Sequence, residues 1–392
     1  MRILAVTDWN RGLGGAEAYI CWLRDGLRAA GDEVRLLTSS AGSAGDGTAE
    51  YVAYGTEQVL AQTVLQIVNP FALNRIRFAI DQFRPQVVFV NMFAHHLSPA
   101  IFYALKSSRT VLSVSDYKCV CPIGSKLLPS GSICNVEAGW ICHQTGCVSL
   151  PHWIRDRPRY AMLRSGVASV SKVLACSNWV RGQLELGGIN SECVHLPVPS
   201  PGAQYRRLPS ADPSFVFCGR LDIEKGVEHL LRAFVEVKAG YPRSRLKIIG
   251  HGPERNRLEL LSQELGISES TEFTGWLDMN AIELELSQAW SSVAPSLWAE
   301  PLGLVALEAI VRGVPVIASA VGGFAETVED GVTGFLVPNG NTPLLAQSMM
   351  KIAQGQWFRN GSIAAEAVDR ITARHEIGSH VARMRQIFAA VA

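Results

Sequence analysis

Short β-branched runs alternate with longer amphipathic stretches along this chain, and the alternation stops once and then starts again. Runs 3–7, 33–37, 87–90, 110–114 and 173–175 are short and mostly apolar or β-branched, as suits strands buried on both faces of a parallel sheet. Residues 16–29 carry helical spacing between the first two. Residues 195–214 (HLPVPSPGAQYRRLPSADPS) then hold five of the nineteen prolines, a linker signal. Beyond it the pattern resumes, with strands expected at 215–218, 246–249, 272–274, 291–294 and 315–318. Helices are expected at 226–237, 255–265 and 304–312, with mostly helix from residue 343. At 392 residues the chain exceeds what one core usually covers. The reading is therefore α/β, two doubly wound domains facing a cleft, with boundaries at 1–200, 201–373 and 374–392.

Composition removes several function classes. The chain has 36 Lys+Arg against 35 Asp+Glu, a net charge of +1, so no strong positive field exists to hold nucleic acid. The first 200 residues carry 18 basic and 14 acidic side chains, +4, leaving 18 and 21, −3, for the remainder. No apolar run reaches the ~18 residues of a membrane span, and the first residues lack an export signal. A cytoplasmic protein is expected, with peripheral contact at the inner face of the membrane as a further reading. That reading rests on residues 153–160, where Trp153 and Tyr160 interleave with Arg155, Arg157 and Arg159; it suits a phospholipid surface or a lipid-diphosphate acceptor. A solvated loop pairing with nearby acids is the blander alternative.

The chemistry is concentrated in the second half. Glu300 and Glu308 flank the start of an expected helix whose first N–H groups, at Gly303 and Leu304, would suit an anion. A carboxylate one turn in, Glu308, could accept both hydroxyls of a ribose. Arg220 and Lys225 follow the first strand of the second domain, where a guanidinium fork and a point charge could neutralise a phosphate. They could equally be surface cations beside Asp222 and Glu224. Gly14 and Gly15 would let backbone approach a diphosphate or a sugar, although a strand-to-helix turn needs glycine anyway.

Five segments in order carry a resemblance. Glu300-Pro-Leu-Gly-Leu-Val-Ala-Leu-Glu308, Gly219-Arg-Leu-Asp-Ile-Glu-Lys-Gly226, Gly250-His-Gly-Pro253, Phe273-Thr-Gly-Trp276 and Gly12-Leu-Gly-Gly-Ala-Glu17 resemble the retaining glycosyltransferases of family 4, which have the GT-B architecture of two Rossmann-like domains. The resemblance implies a first domain on the acceptor side and a second that binds the nucleotide sugar. It also implies a terminal helix, 374–392, crossing back onto the first domain. Arg220, Lys225 and Glu300 would then be catalytic, with Glu300 on donor-sugar hydroxyls. Gly14, Gly15, Gly250, Trp276, Gly303, Leu304 and Glu308 would bind the donor, Trp276 bordering the base. Sugar would pass from a UDP-, GDP- or ADP-linked donor to a glycan, lipid-linked or small-molecule hydroxyl acceptor in polysaccharide or glycoconjugate assembly, with configuration retained. No cofactor is required for that chemistry, because cations and a helix start can stabilise the departing phosphate.

One departure is visible. Many relatives carry His where this chain has Ser115, followed by Asp116; serine takes no charge but can donate a hydrogen bond. His95 could serve at the same place, and so could His96, although exposed loop histidines would also explain the pair. A catalytically inert sugar-nucleotide or glycan binder is the alternative that Ser115 suggests. A GT-B sugar-nucleotide epimerase is a third.

Nine cysteines remain. Cys21, Cys176, Cys193 and Cys218 sit in apolar stretches and read as small buried hydrophobes. Cys119, Cys121, Cys134, Cys142 and Cys147, with His143, fall in a Gly- and Pro-containing loop at about 117–150. Four thiolates, or three with His143, would satisfy tetrahedral structural zinc; reduced thiols, a disulfide or an iron–sulfur cluster are the alternatives.

Overall fold

A computed structural model describes residues 1–9, 15–41, 48–358 and 361–392, apart from the side chain of Ala16. The chain divides into two compact units, Met1–Pro197 with Ile377–Ala392, and Val198–Glu376.

The first unit is built on seven parallel strands: β1 Arg2–Val6, β2 Glu33–Ser39, β3 Tyr51–Ala53, β4 Val87–Val90, β5 Thr110–Val114, β6 Lys172–Ala175 and β7 Glu192–Cys193. Their order is β3-β2-β1-β4-β5-β6-β7. Ile3 pairs with Val34 on one side and with Val87 on the other. Strand order therefore reverses between β1 and β4, which opens a crevice at their carboxyl ends. All residues of β4 and β5 are buried, the reason those runs read as uninterrupted apolar sequence. Strands β3 and β7 have three and two residues, too few to show a period.

The helix Ile377–Val391 completes this unit. Phe388 is fully buried with its ring 5.7 Å from that of Phe89. His380 sits between Tyr19 Oη, 3.0 Å from Nε2, and the His195 carbonyl, 3.0 Å from Nδ1. Arg385 pairs with Asp32 at 2.9 Å. Burying one phenylalanine is worth about 2–3 kcal/mol, so this helix is a structural part of the first sheet's covering layer.

Residues 150–169 correct a sequence expectation. The basic stretch around Arg155–Arg159 is not a loop but the interior of a 20-residue helix, Leu150–Ser169. Pro151 fits its first turn, where no N–H is needed. Pro158 lies inside it and removes one helical hydrogen bond. Two prolines and a weak apolar face hid the helix from periodicity.

The second unit has six parallel strands: β8 Ser214–Cys218, β9 Arg245–Ile249, β10 Thr271–Gly275, β11 Ser291–Ala294, β12 Val316–Ser319 and β13 Gly334–Val337. Their order is β10-β9-β8-β11-β12-β13, reversing between β8 and β11. Phe215, Phe234, Ile248, Ile317, Met349 and Ile352 are fully buried in its core. Among the described residues, no helix is long and apolar enough to cross a membrane.

Candidate functional site

In the second unit the residues singled out from sequence collect at the carboxyl ends of the strands. Lys225 closes a short 3-10 turn, Ile223–Lys225, after β8. Its Nζ lies 2.6 Å from Glu300 Oε1, in the loop after β11. Glu300 is 8% exposed. The same Oε1 accepts from Ser296 Oγ at 2.8 Å and Trp298 Nε1 at 2.9 Å, and the Lys225 ammonium lies 5.2 Å from the Trp298 ring centroid. Three donors on one carboxylate oxygen fix the side chain in one orientation. Sequence alone did not assign Ser296 or Trp298 a role in the site; their signal is a pair of hydrogen-bond donors close before the first glutamate.

Arg220 does not join this cluster. It pairs with Asp222 and its side chain is 77% exposed, as the surface-cation alternative had it.

Gly250 directly follows β9 with φ 137°, and a Cβ there would stand 1.8 Å from the Gly219 carbonyl. Only glycine lets the two strand ends approach this closely. Gly250 N donates to Gly275 O at 2.8 Å, and the next residue, Trp276, is 62% exposed. An exposed indole at the end of an edge strand is a platform available to a ring.

Gly303 caps the helix Leu304–Ile310 in the left-handed region, φ 81°, with a Cβ position 2.4 Å from the Phe324 ring. Leu304 opens that helix and Glu308 lies within it, half-buried. Burial pushes the Glu308 carboxyl up to about 7, against the opposing pull of Arg312. Arg312 itself is buried and bonded to Glu283 at 2.7 Å and to the Glu308 carbonyl at 2.9 Å. Cys218, at the end of β8, is pushed up to about 12, first by burial and then by Glu308. Glu308 therefore stands beside the end of β8.

Of the glycine loop in the first unit, Gly14 lies outside the described residues, and Gly15 starts the helix Gly15–Ala29. Ser115 and Asp116 follow β5, both half-buried. Burial raises Asp116 to about 6, with a Lys118 N–H bond at 2.9 Å opposing.

The histidines are a correction to the exposed-loop alternative. His96 is 4% exposed, and both rings pack on Trp9, with centroids 4.4 and 5.4 Å away. The cause is Asp8, fully buried after β1, whose carboxylate accepts the N–H groups of His95, His96 and Leu97 at 2.7–2.9 Å. Burial raises Asp8, while its backbone bonds pull the other way. The sequence reading missed Asp8, although an acid directly after a first strand was its signal.

Of the solitary cysteines, only Cys176 is buried; Cys21, Cys193 and Cys218 are half-buried. In the 117–150 loop, Cys121 and Cys142 are buried, Cys119, Cys134 and Cys147 half-buried, and all are free thiols. Burial raises Cys142, followed by the influence of Cys121, Cys147 and Cys134. Burial and then Asp116 raise Cys119. Among the described residues, no three His, Cys, Asp or Glu side chains are grouped to hold a metal ion.

Comparison with known proteins places this geometry. The model described as Glycosyltransferase Family 4 matches residues 13–197, and that described as Glycosyl transferases group 1 matches 204–366. The chain belongs to glycosyltransferase family 4. Among curated proteins, it is similar to the phosphatidyl-myo-inositol mannosyltransferase of Mycobacterium leprae, 31% identical over 199 residues, 48% of this chain and 52% of that one. The chain spans about a third to a half of the length of the first curated relatives it matches. Among solved structures it resembles sucrose-phosphate synthase from Thermosynechococcus elongatus, with a TM-score of 0.76, 23% identity and 100% of both chains covered. It also resembles Anabaena HepE in complex with UDP-glucose, with a TM-score of 0.70, 18% identity and 100% of both chains covered. These likenesses establish the GT-B fold of this family 4 chain.

Proposed function

We propose that the chain is a retaining glycosyltransferase that moves a sugar from a nucleotide-diphosphate donor to a hydroxyl acceptor in glycoconjugate assembly. The observation carrying this reading is the Lys225–Glu300 pair, held by Ser296 and Trp298 beside the strand-order reversal of the second unit. Lys225 supplies positive charge where a departing diphosphate develops negative charge. Glu300 presents a fixed carboxylate to donor-sugar hydroxyls, and Glu308 accepts from the ribose. Charge supplied by fixed side chains stabilises the leaving group with no reorganisation at the moment of reaction. The UDP-glucose complex of HepE supports a nucleotide-sugar donor. Attack on the face the leaving group departs retains configuration and needs no protein nucleophile.

Arg220 takes part by exchanging partners. An exposed ion pair is worth about 0–1 kcal/mol, so a diphosphate can draw the guanidinium from Asp222 at little cost and receive a bidentate contact. Arg220→Ala should therefore lower turnover about tenfold or more while shifting the melting temperature by no more than a degree or two. Equal kcat in variant and parent would remove Arg220 from the reaction.

Calorimetric titration with UDP, GDP and ADP, on the parent and on Glu308→Gln, tests the donor site. Clear binding of one nucleotide, weakened at least tenfold in the variant, is expected. Because the folded carboxyl titrates near 7 rather than 4.5, parent affinity should rise between about pH 6 and 8, as the accepting carboxylate forms. The variant should be flat. The stability sign is opposite. The folded state binds more protons than the unfolded state between about 4.5 and 7, so this group's contribution falls as pH rises through that window. A tenfold change in proton affinity is about 1.4 kcal/mol, and partial solvent contact limits the effect to about 2 kcal/mol. Glu308→Gln should melt at or above the parent at pH 8. No nucleotide binding by the parent would remove the donor reading.

A further inference from the structure

The helix Leu304–Ile310, which carries Glu308, tightens where it ends. Arg312 N donates to the Ala309 carbonyl at 3.0 Å, three residues back rather than the four of a regular α-helix. The Glu308 carbonyl therefore loses its usual backbone donor. The Arg312 guanidinium replaces it, with Nη1 donating to Glu308 O at 2.9 Å. An arginine side chain folded back onto the last carbonyls also suits the negative end of the helix dipole.

The other two nitrogens face a different element. Nη2 and Nε donate to Glu283 Oε1 at 2.7 and 3.2 Å, and Nη2 lies 4.0 Å from Met279 Sδ. Met279 opens the helix Met279–Gln288, three residues after Trp276. Backbone from a third segment holds the pair in place. Tyr205 Oη donates to the Arg312 carbonyl at 2.9 Å, and Gly202 N to Glu283 Oε1 at 3.1 Å. The Arg312 side chain is 2% exposed. A charge so buried persists only when it is paired and hydrogen-bonded, and a planar fork meets two elements at once where an ammonium cannot.

Arg312 also acts on the Glu308 carboxyl, which burial raises and Arg312 lowers. Other ionisable groups arrive on neighbouring elements. Strands β11 and β12, which pack on the Glu308 helix, carry none. The helix Phe324–Thr327 brings Glu326, and the helix Ala365–Arg374 brings Glu366, Asp369, Arg370 and Arg374. Cys218, at the end of β8, is pushed up to about 12 and is uncharged near neutrality. Arg312 is the cation that opposes burial at Glu308.

We propose that Arg312 is a positioning residue for the nucleotide: it braces the helix bearing Glu308 against the helix that follows Trp276, and so holds carboxylate and indole as one binding edge. The inference rests on the donor reading above, in which Glu308 meets the ribose and Trp276 borders the base.

The test titrates the full chain calorimetrically with UDP, GDP and ADP from pH 5.5 to 8.5, beside melting curves. The variants are Arg312→Met, Arg312→Lys and the double variant Arg312→Met with Glu283→Gln. The double variant leaves neither charge of the pair buried alone, so it carries the test if Arg312→Met fails to fold. The nucleotide's own titration is common to every arm. Without the cation, affinity at pH 7 should fall about fivefold or more, and the midpoint of its rise with pH should move up by about half a unit or more. Arg312→Lys should keep the parent midpoint, because it keeps the charge, yet bind more weakly, because it cannot span both elements. Parent affinity and midpoint in a folded variant without Arg312 would overturn the inference. Weaker binding with an unmoved midpoint would overturn it too, since a purely structural role predicts that result. A parent that binds none of the three nucleotides gives a different answer: the donor reading fails, and this inference with it.

Discussion

Lys225→Ala should lower kcat by about 100- to 1,000-fold, the loss typical of removing one fixed group that stabilises developing charge. The effect should fall on kcat more than on donor affinity, because the charge Lys225 meets grows as the glycosidic bond breaks. A second consequence must be separated from this one. Glu300 is 8% exposed, and removing one partner of a buried pair can cost about 3–5 kcal/mol. Here Ser296 and Trp298 still donate to the carboxylate, and the Lys225 side chain is 22% exposed, so the stability loss should be well below that. Lys225→Gln keeps a donor without the charge and controls for packing. Paired melting curves and turnover measurements on both variants decide the matter. Turnover within threefold of the parent in folded Lys225→Ala would leave the leaving group without its stabiliser, and the mechanism would fail.

Gly250→Ala should cost the second unit about 3 kcal/mol or more. Backbone held where L side chains are rare costs about 1–3 kcal/mol, and the overlap of a Cβ with the Gly219 carbonyl at 1.8 Å adds to it. The methyl has nowhere to go, because the obstruction is backbone. The loops starting at Gly219 and Gly275 would separate, moving Arg220 and Trp276 with them. Urea unfolding measures the loss, and nucleotide titration measures the displaced platform. An unchanged unfolding midpoint would show that the strand ends are looser than their geometry requires.

What could be read from sequence follows the range of the forces involved. Buried parallel strands such as β4 and β5 advertise themselves because both faces exclude water. The Glu300–Glu308 spacing is visible because both lie within one short local segment. The Lys225–Glu300 bond joins residues 75 positions apart, and only strand order brings them together. Arg220 looked equivalent to Lys225 in sequence, yet five residues separate a side chain in water from one inside a cluster. The Asp8 carboxylate that gathers three N–H groups some ninety residues away was likewise out of local reach. The Leu150–Ser169 helix was hidden by its own prolines, and with it the placement of Arg159.

The helix at 377–391 has a consequence for how the protein is made. The first sheet is fully synthesised by residue 193, but Phe89 and Tyr19 meet their partners only when Phe388 and His380 emerge. The ribosome must therefore produce the whole second unit while the first still exposes apolar surface. The order of synthesis and the order of completion are reversed. A fragment ending near residue 197 would keep that surface uncovered, and recombinant production of the first unit alone needs the last helix supplied, in cis or as a separate peptide.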